Sequence, residues 1–221
     1  MSEREQTAFD AYIRILQSKG ATAESIDKRR NLLESLLIRL ADKPCNGEIY
    51  RQEVEAVMEQ LNKLDWSFYL TVIREFFRFW TNDIKAIAYL SAQSGFDLNP
   101  VQLQPMEASL QSLWEKMDKE QFSVVENWPI KAYTLALRDA GATKAVVDTR
   151  IKLVKLLMMR FRDAPEFNTK RYRISVDACL YMFESRELRD LFLMVVREFY
   201  YFWNGDPDAA RYIQLDENGG F

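Results

Sequence analysis

Apolar residues recur at helical spacing along most of the chain. Residues 8–18 place Phe9, Tyr12, Ile13 and Leu16 on one face, and residues 23–41 do the same with Ile26, Leu33, Leu36, Leu37 and Leu40. Steps of three and four are the signature of an amphipathic helix. Thr22, just after Gly20-Ala21, is expected to cap the second helix, because its hydroxyl can accept from a backbone N–H of the first turn. Val54, Val57, Met58 and Leu61 mark a third helix over 49–62, residues 66–80 a fourth, and 83–91 a short fifth. No convincing run alternates apolar and polar residues with period two, so the expected fold class is all-α.

The same pattern is written twice. Ala11-Tyr12, Leu16 and Gly20-Ala21-Thr22 recur 121 positions later as Ala132-Tyr133, Leu137 and Gly141-Ala142-Thr143. Asp27, Arg29, Leu32, Leu36, Arg39, Asp42 and Pro44 match Asp148, Arg150, Leu153, Leu157, Arg160, Asp163 and Pro165 at that spacing. Tyr50-Arg51, Val54 and Ala56 match Tyr172-Arg173, Val176 and Ala178 at 122 positions. Arg74-Glu75-Phe76, Phe79-Trp80 and Tyr89 match Arg197-Glu198-Phe199, Phe202-Trp203 and Tyr212 at 123. Each change of offset is one inserted residue in an expected loop, which is the mark of an internal repeat. Glycines and prolines are expected to punctuate the helices rather than interrupt them.

Two homologous four-to-five-helix modules in tandem are therefore expected, over residues 1–97 and 128–221. The intervening 98–127 is acidic. Its Asn99-Pro100 and Pro105 suggest a helix start, and Leu110, Leu113, Trp114 and Met117 form an apolar stripe. A connecting helix that docks on one module is the expected form, since Trp114 would otherwise be exposed. In the fourth helix, Phe76, Phe79 and Trp80 join Tyr69, Val72 and Ile73 on a broad apolar side, with Glu75, Arg78 and Thr71 on the narrower polar side. Phe199, Phe202 and Trp203 are expected to be the same core rings in the second copy. Tyr201 replaces Arg78 there, a point where the copies are expected to part in function.

Composition narrows the chemistry. With 48% apolar and 29% charged residues the chain is that of an ordinary folded protein. The amino terminus is polar rather than a secretory leader, and the longest apolar run, LFLMVV at 191–196, is far short of a bilayer span. Cys45 and Cys179 stand alone, so a reducing, cytoplasmic setting and no disulfide framework are expected. Histidine is absent, which removes histidine acid–base chemistry, Ser-His-Asp and Cys-His arrangements and histidine metal sites. There is no Gly-x-Gly-x-x-Gly or phosphate-binding loop sequence. Glu53, Glu55 and Glu59 are expected to form a solvated acidic face rather than a metal site, and nothing near Tyr200 or Tyr201 would activate a nucleophile. No catalytic residue, metal or cofactor is expected.

Within each copy the order of motifs resembles the helical core-binding (SAM-like) domain of tyrosine recombinases, the phage-integrase family. The matching stretches are FDAYIRILQSKGAT, YRQEVEAVMEQL and VIREFFRFW, then IKAYTLALRDAGAT, YRISVDACLYMF and VVREFYYFW. In that family the domain is one jaw of a clamp on duplex DNA. A separate domain, with arginines, a His-x-x-Arg element and a tyrosine nucleophile, does the cutting. This chain has no histidine, and no room for that domain is expected after residue 213. The resemblance thus implies DNA association without strand cleavage, in a protein derived from or accessory to a mobile element.

Charge separates the copies. Residues 8–90 hold twelve basic and twelve acidic residues, whereas 128–213 hold fifteen and eleven. The excess lies in 144–173, where nine basic residues face Asp148, Asp163 and Glu166. On a helix over 145–161, Val147, Ile151, Val154, Leu157 or Met158, and Phe161 form the apolar face, with Lys152 and Lys155 opposite and leading toward Arg162. Lys152, Lys155, Arg162, Lys170, Arg171 and Arg173 are the candidate phosphate contacts, which would make affinity salt-dependent. An ordinary solvated face is the competing reading of the same residues. The repeated ions Arg29/Arg150, Arg39/Arg160, Arg74/Arg197, Glu75/Glu198, Asp27/Asp148 and Asp42/Asp163 are expected to pair and hold helices in register. Two functions remain open: a non-catalytic protein holding duplex DNA mainly through the second module, or a protein–protein interaction module that lost the DNA surface. The second would expose an apolar or aromatic patch, with Tyr181, Met182, Tyr200 or Tyr201 as candidates.

Overall fold

A computed structural model describes residues 2–92, 96, 98, 103, 106, 109–164 and 169–215. Asn99, Pro100, Pro105, Pro165 and Glu166 lie outside the described residues. Among those described, the chain is all-helical and contains no strand. It divides into two compact units, Met1–Gln102 and Leu103–Phe221.

In the first unit, α1 (Glu3–Ser18), α2 (Ala23–Leu40), α3 (Gly47–Met58), α4 (Trp66–Trp80) and α5 (Ile84–Ala92) follow one another, with one 3-10 turn at Lys63–Asp65. Helix α4 is central, packing against α1, α2, α3 and α5. Its buried face carries Val72, Ile73, Phe76, Phe79 and Trp80, and the Tyr12 ring stands edge-on to Phe76 and Phe79. The Tyr50 hydroxyl donates to the Ile73 carbonyl at 2.7 Å, which fixes α3 on α4.

The second unit contains α6 (Leu110–Met117), α7 (Val124–Asp139), α8 (Lys144–Phe161), α9 (Thr169–Leu180) and α10 (Arg186–Trp203), then a 3-10 turn at Ala209–Tyr212. Helix α10 packs against α7, α8, α9 and that turn. The expected short fifth helix is here a single 3-10 turn. Helix α6 lies on α8, burying Leu113 and Met117. Leu103 packs with Ala164, Ala178 and Ile174.

The repeated Gly-Ala-Thr turns show how this sequence makes a helical hairpin. Gly20 and Gly141 have φ of +83° and +88°, the left-handed region glycine enters without strain. That bend turns the Ala21 N–H to the Leu16 carbonyl and the Ala142 N–H to the Leu137 carbonyl, each at 3.0 Å. The next residue opens the following helix, as Thr22 accepts from Ser25 N–H and Thr143 from Val146 N–H.

Helix α7 begins before the module boundary expected at residue 128. Ser123 and Glu126 form a reciprocal capping box, so the helix begins at Val124. Pro129 consequently lies inside the helix rather than punctuating it. Glu75 also departs from its expected polar side. It is buried at the centre of the first unit, because Tyr12 and Arg29 reach it from two other helices. Phe202 and Trp203 are half-buried, unlike Phe79 and Trp80. Trp80 donates its indole N–H to Glu5, whereas Glu126, 121 positions after Glu5, is engaged with Ser123 and Arg162.

Candidate functional site

The repeated ions build one buried knot in each unit. In the first, the Tyr12 hydroxyl donates to Glu75 at 2.6 Å and accepts from Arg29 Nε at 3.1 Å. Arg29 also lies 3.9 Å from the Glu75 carboxylate. In the second, Glu198 Oε2 accepts from Tyr133 at 2.6 Å and from Arg150 at 2.7 Å, while its other oxygen takes the Gln214 N–H at 2.9 Å. Arg150 then donates to the Gln214 carbonyl at 2.7 Å. All six side chains are buried. Burial, and after it the neighbouring carboxylate, pushes both tyrosine hydroxyls far above their ordinary titration range. These groups are satisfied by one another and serve geometry rather than exchange with solvent.

Other repeated ions divide. Arg39 pairs with Glu53 at 2.9 Å, and Lys43 pairs with the second Glu53 oxygen. Glu53 is thus a buried, paired carboxylate rather than part of a solvated acidic face. Arg160 pairs with Asp163 at 3.1 Å, while Asp27, Asp148, Arg74 and Arg197 are exposed. Among the described residues no cluster of three or more His, Cys, Asp or Glu side chains could hold a metal. Cys45 and Cys179 are both free, the first exposed and the second buried. No helix among the described residues is long and apolar enough to cross a membrane.

The six basic candidates do not share one environment. Arg162 is gripped by carboxylates: it reaches Glu120 at 2.6 Å and Glu126 at 2.8 Å, donates to the Gln121 carbonyl at 3.1 Å, and covers the Phe122 ring. Arg171 turns inward, donating to the Phe161 carbonyl and lying 5.8 Å from that ring, and burial lowers its pKa. The Lys152 ammonium stands 5.6 Å from the Trp114 ring of α6. Lys152 and Lys155 are half-buried, not on an open face, and α6 packs on α8 beside Lys152. Lys170 and Arg173 are exposed and three residues apart on α9.

The Arg162 clamp gives a pH dependence. The guanidinium hydrogen bond from Arg162 holds Glu126 down from an ordinary 4.5 to about 2, against the opposing effect of burial and with help from the Ser123 backbone. A depressed carboxylate stabilises the fold above its unfolded pKa and loses that contribution as pH falls toward its folded one. The contribution is therefore complete above about pH 4.5 and disappears on the way to about 2. NMR titration of the Glu126 carboxyl is expected to show a midpoint near 2 that rises toward the ordinary range in Arg162→Ala. An unchanged midpoint in that variant would disprove the clamp.

The tyrosines proposed as an apolar patch are occupied. Tyr181 hydrogen-bonds the Met106 backbone at 2.6 Å, Tyr201 stacks on Tyr212 at 3.5 Å, and Tyr200 meets Tyr172 edge-on. Among the described residues, exposed large apolar side chains include Ile38, Ile84 and Tyr89 of the first unit, and four more gather on one helix, α7. Val124, Val125, Trp128 and Leu135 are 86, 76, 75 and 58% exposed, while Ile130, Tyr133 and Leu137 of the same helix are buried. Val124, Trp128, Lys131 and Leu135 advance by four, three and four residues and form one outward ridge. Positions 121 earlier carry Glu3, Arg4, Thr7, Asp10 and Arg14, all exposed. Comparing the repeats for their differences, rather than their identities, would have revealed this ridge from sequence.

A cleft of about 200 Å³ in the first unit is lined by Lys28, Asn31, Leu32, Leu61, Asp65, Phe68 and Tyr69. It is smaller than the roughly 300–1,000 Å³ of a typical small-molecule site. At the positions matching Leu61 and Tyr69, the buried rings of Phe183 and Phe192 pack 4.8 Å apart. No family model, curated protein or solved structure matches this chain.

Proposed function

We propose that the chain is a non-catalytic binding protein, built from a duplicated helical module, whose second copy uses the outer ridge of α7 to hold another protein. The observation that carries this reading is the exchange of Glu3, Thr7 and Arg14 in the first repeat for exposed Val124, Trp128 and Leu135 in the second. Exposed tryptophan is costly to leave in water, and Trp is among the residues that most often dominate protein interfaces. Duplication is supported by the matching Tyr–Arg–Glu knots and the matching Gly-Ala-Thr turns.

A second reading keeps duplex DNA as the partner, with Lys152, Lys155, Lys170 and Arg173 on the phosphates. It draws on the exposed Lys170–Arg173 pair and on the resemblance to integrase core-binding domains. Arg162 and Arg171 count against it, since each would have to leave its present partners. Fluorescence anisotropy on a labelled duplex separates the two readings. Four phosphate contacts would weaken binding roughly a hundred-fold between 50 and 200 mM salt. Under the protein-binding reading, affinity stays within the weak non-specific range, and alanine at all four cations changes it less than two-fold. A steep salt dependence abolished by those four substitutions would overturn that reading in favour of DNA.

A further inference from the structure

We infer that the partner held by the α7 ridge is a second copy of this chain, in an antiparallel α7–α7 pairing that sets Trp128 of each copy against Lys131 of the other. This deepens the protein-docking reading and rests on it.

The argument starts from spacing. In a two-fold pairing of identical antiparallel helices, opposed positions share one midpoint along the axis. Val124 with Leu135, and Trp128 with Lys131, have the same midpoint, between positions 129 and 130. One axis therefore places Val124 against Leu135 of the second copy and Trp128 against Lys131 of the second copy, each contact made twice. This is the self-complementarity that an isologous interface requires. The four-three-four spacing is also that of a coiled-coil seam, and the ridge runs about 16 Å along the helix.

The chemistry of the opposed residues agrees with that register. A lysine in the middle of an apolar ridge would oppose docking on a plain apolar surface, because its ammonium would lose water without gaining a partner. Here Lys131 instead meets an indole face, over which its stem packs and its ammonium is attracted by the ring. The two lysines do not oppose each other, since the axis falls nearer residue 129 than residue 131. The outer pair is aliphatic on both sides. Ala132 beside the ridge is small enough to allow close approach of the helices. A different partner would have to supply both an apolar seam and a group suited to Lys131; a second copy brings both.

Sedimentation equilibrium of the full chain over about 1–200 µM tests this, with circular dichroism to confirm that each variant is folded. Wild type is expected to reach the mass of two chains. Trp128→Lys sets lysine against lysine and is expected to weaken dimerisation by about thirty-fold or more, the scale of an interface hot spot. The exchange Trp128→Lys with Lys131→Trp restores the opposed pair and is expected to recover most of the lost affinity. A one-chain mass for wild type at every concentration would overturn self-pairing alone. A two-chain mass unaffected by Trp128→Lys would overturn the inference, since pairing would then run through another surface. Failure of the exchanged pair to recover affinity would overturn the register, and with it the inference.

Discussion

Glu198→Ala is expected to destabilise the second unit by about 3–5 kcal/mol, because it leaves the buried Arg150 cation without its counter-ion. The same change strips Tyr133 of its acceptor and the Gln214 N–H of its own. Urea unfolding, followed by hydrogen exchange at the amides of α8 and α10, measures the loss. Glu198→Gln keeps the shape and one acceptor oxygen and is expected to lose less, though it still leaves Arg150 unneutralised. Replacing all three members by apolar residues, with Tyr133→Phe, Arg150→Met and Glu198→Leu, is expected to cost far less than the single change to alanine. Removing both charges also removes the desolvation penalty they carry. An alanine variant as stable as wild type would show that water, and not Glu198, satisfies Arg150.

Trp80→Ala is expected to cost the first unit about 3–5 kcal/mol, the usual range for deleting a large buried aromatic. Trp80 is 1% exposed, packs against Tyr50 at 5.2 Å, and gives its indole N–H to Glu5 at 3.2 Å. Its loss opens a cavity and removes a partner from a fully buried carboxylate. Trp203→Ala is expected to cost roughly half as much, since Trp203 is only half-buried. Thermal or urea unfolding of the two variants side by side checks the difference. Equal losses would mean that local exposure does not set the energetics of this repeated position.

Much of the fold is legible in the sequence because it rests on local rules. Helical spacing, the Gly-Ala-Thr turns and the N-cap threonines depend on residues a few positions apart, and the helices over 23–41, 66–80 and 145–161 form within a residue or so of their expected bounds. The start of α7 was hidden because Pro129 reads as a break, while the Ser123–Glu126 box that actually opens the helix lies upstream. Glu75 was hidden for a different reason. Period alone places it on a polar strip, but Tyr12 and Arg29 come from other helices, and only the folded unit brings them there. Arg162 likewise reads as a surface cation until Glu120 and Glu126 close on it from 42 and 36 positions away. The α7 ridge is legible in the sequence only where the two halves of the chain differ. Val124, Trp128 and Leu135 matter for what they do not share with Glu3, Thr7 and Arg14.

The Gly-Ala-Thr turns also bear on where this chain could change its length. In each, the glycine ends one helix and the threonine begins the next, leaving a single alanine between them. An added residue would separate two caps that depend on fixed positions, so both helices would lose their ends together. Across this turn the two copies keep the same offset of 121. The offset changes only later, first between Pro44 and Tyr50 and then between Ala56 and Arg74. The first interval contains the α2–α3 connection and the second the α3–α4 connection, where the 3-10 turn at Lys63–Asp65 is matched by the first turn of α10. The spacing between matching residues thus changes only across intervals that contain helix connections, and not at the joint whose every residue is already assigned to a helix end.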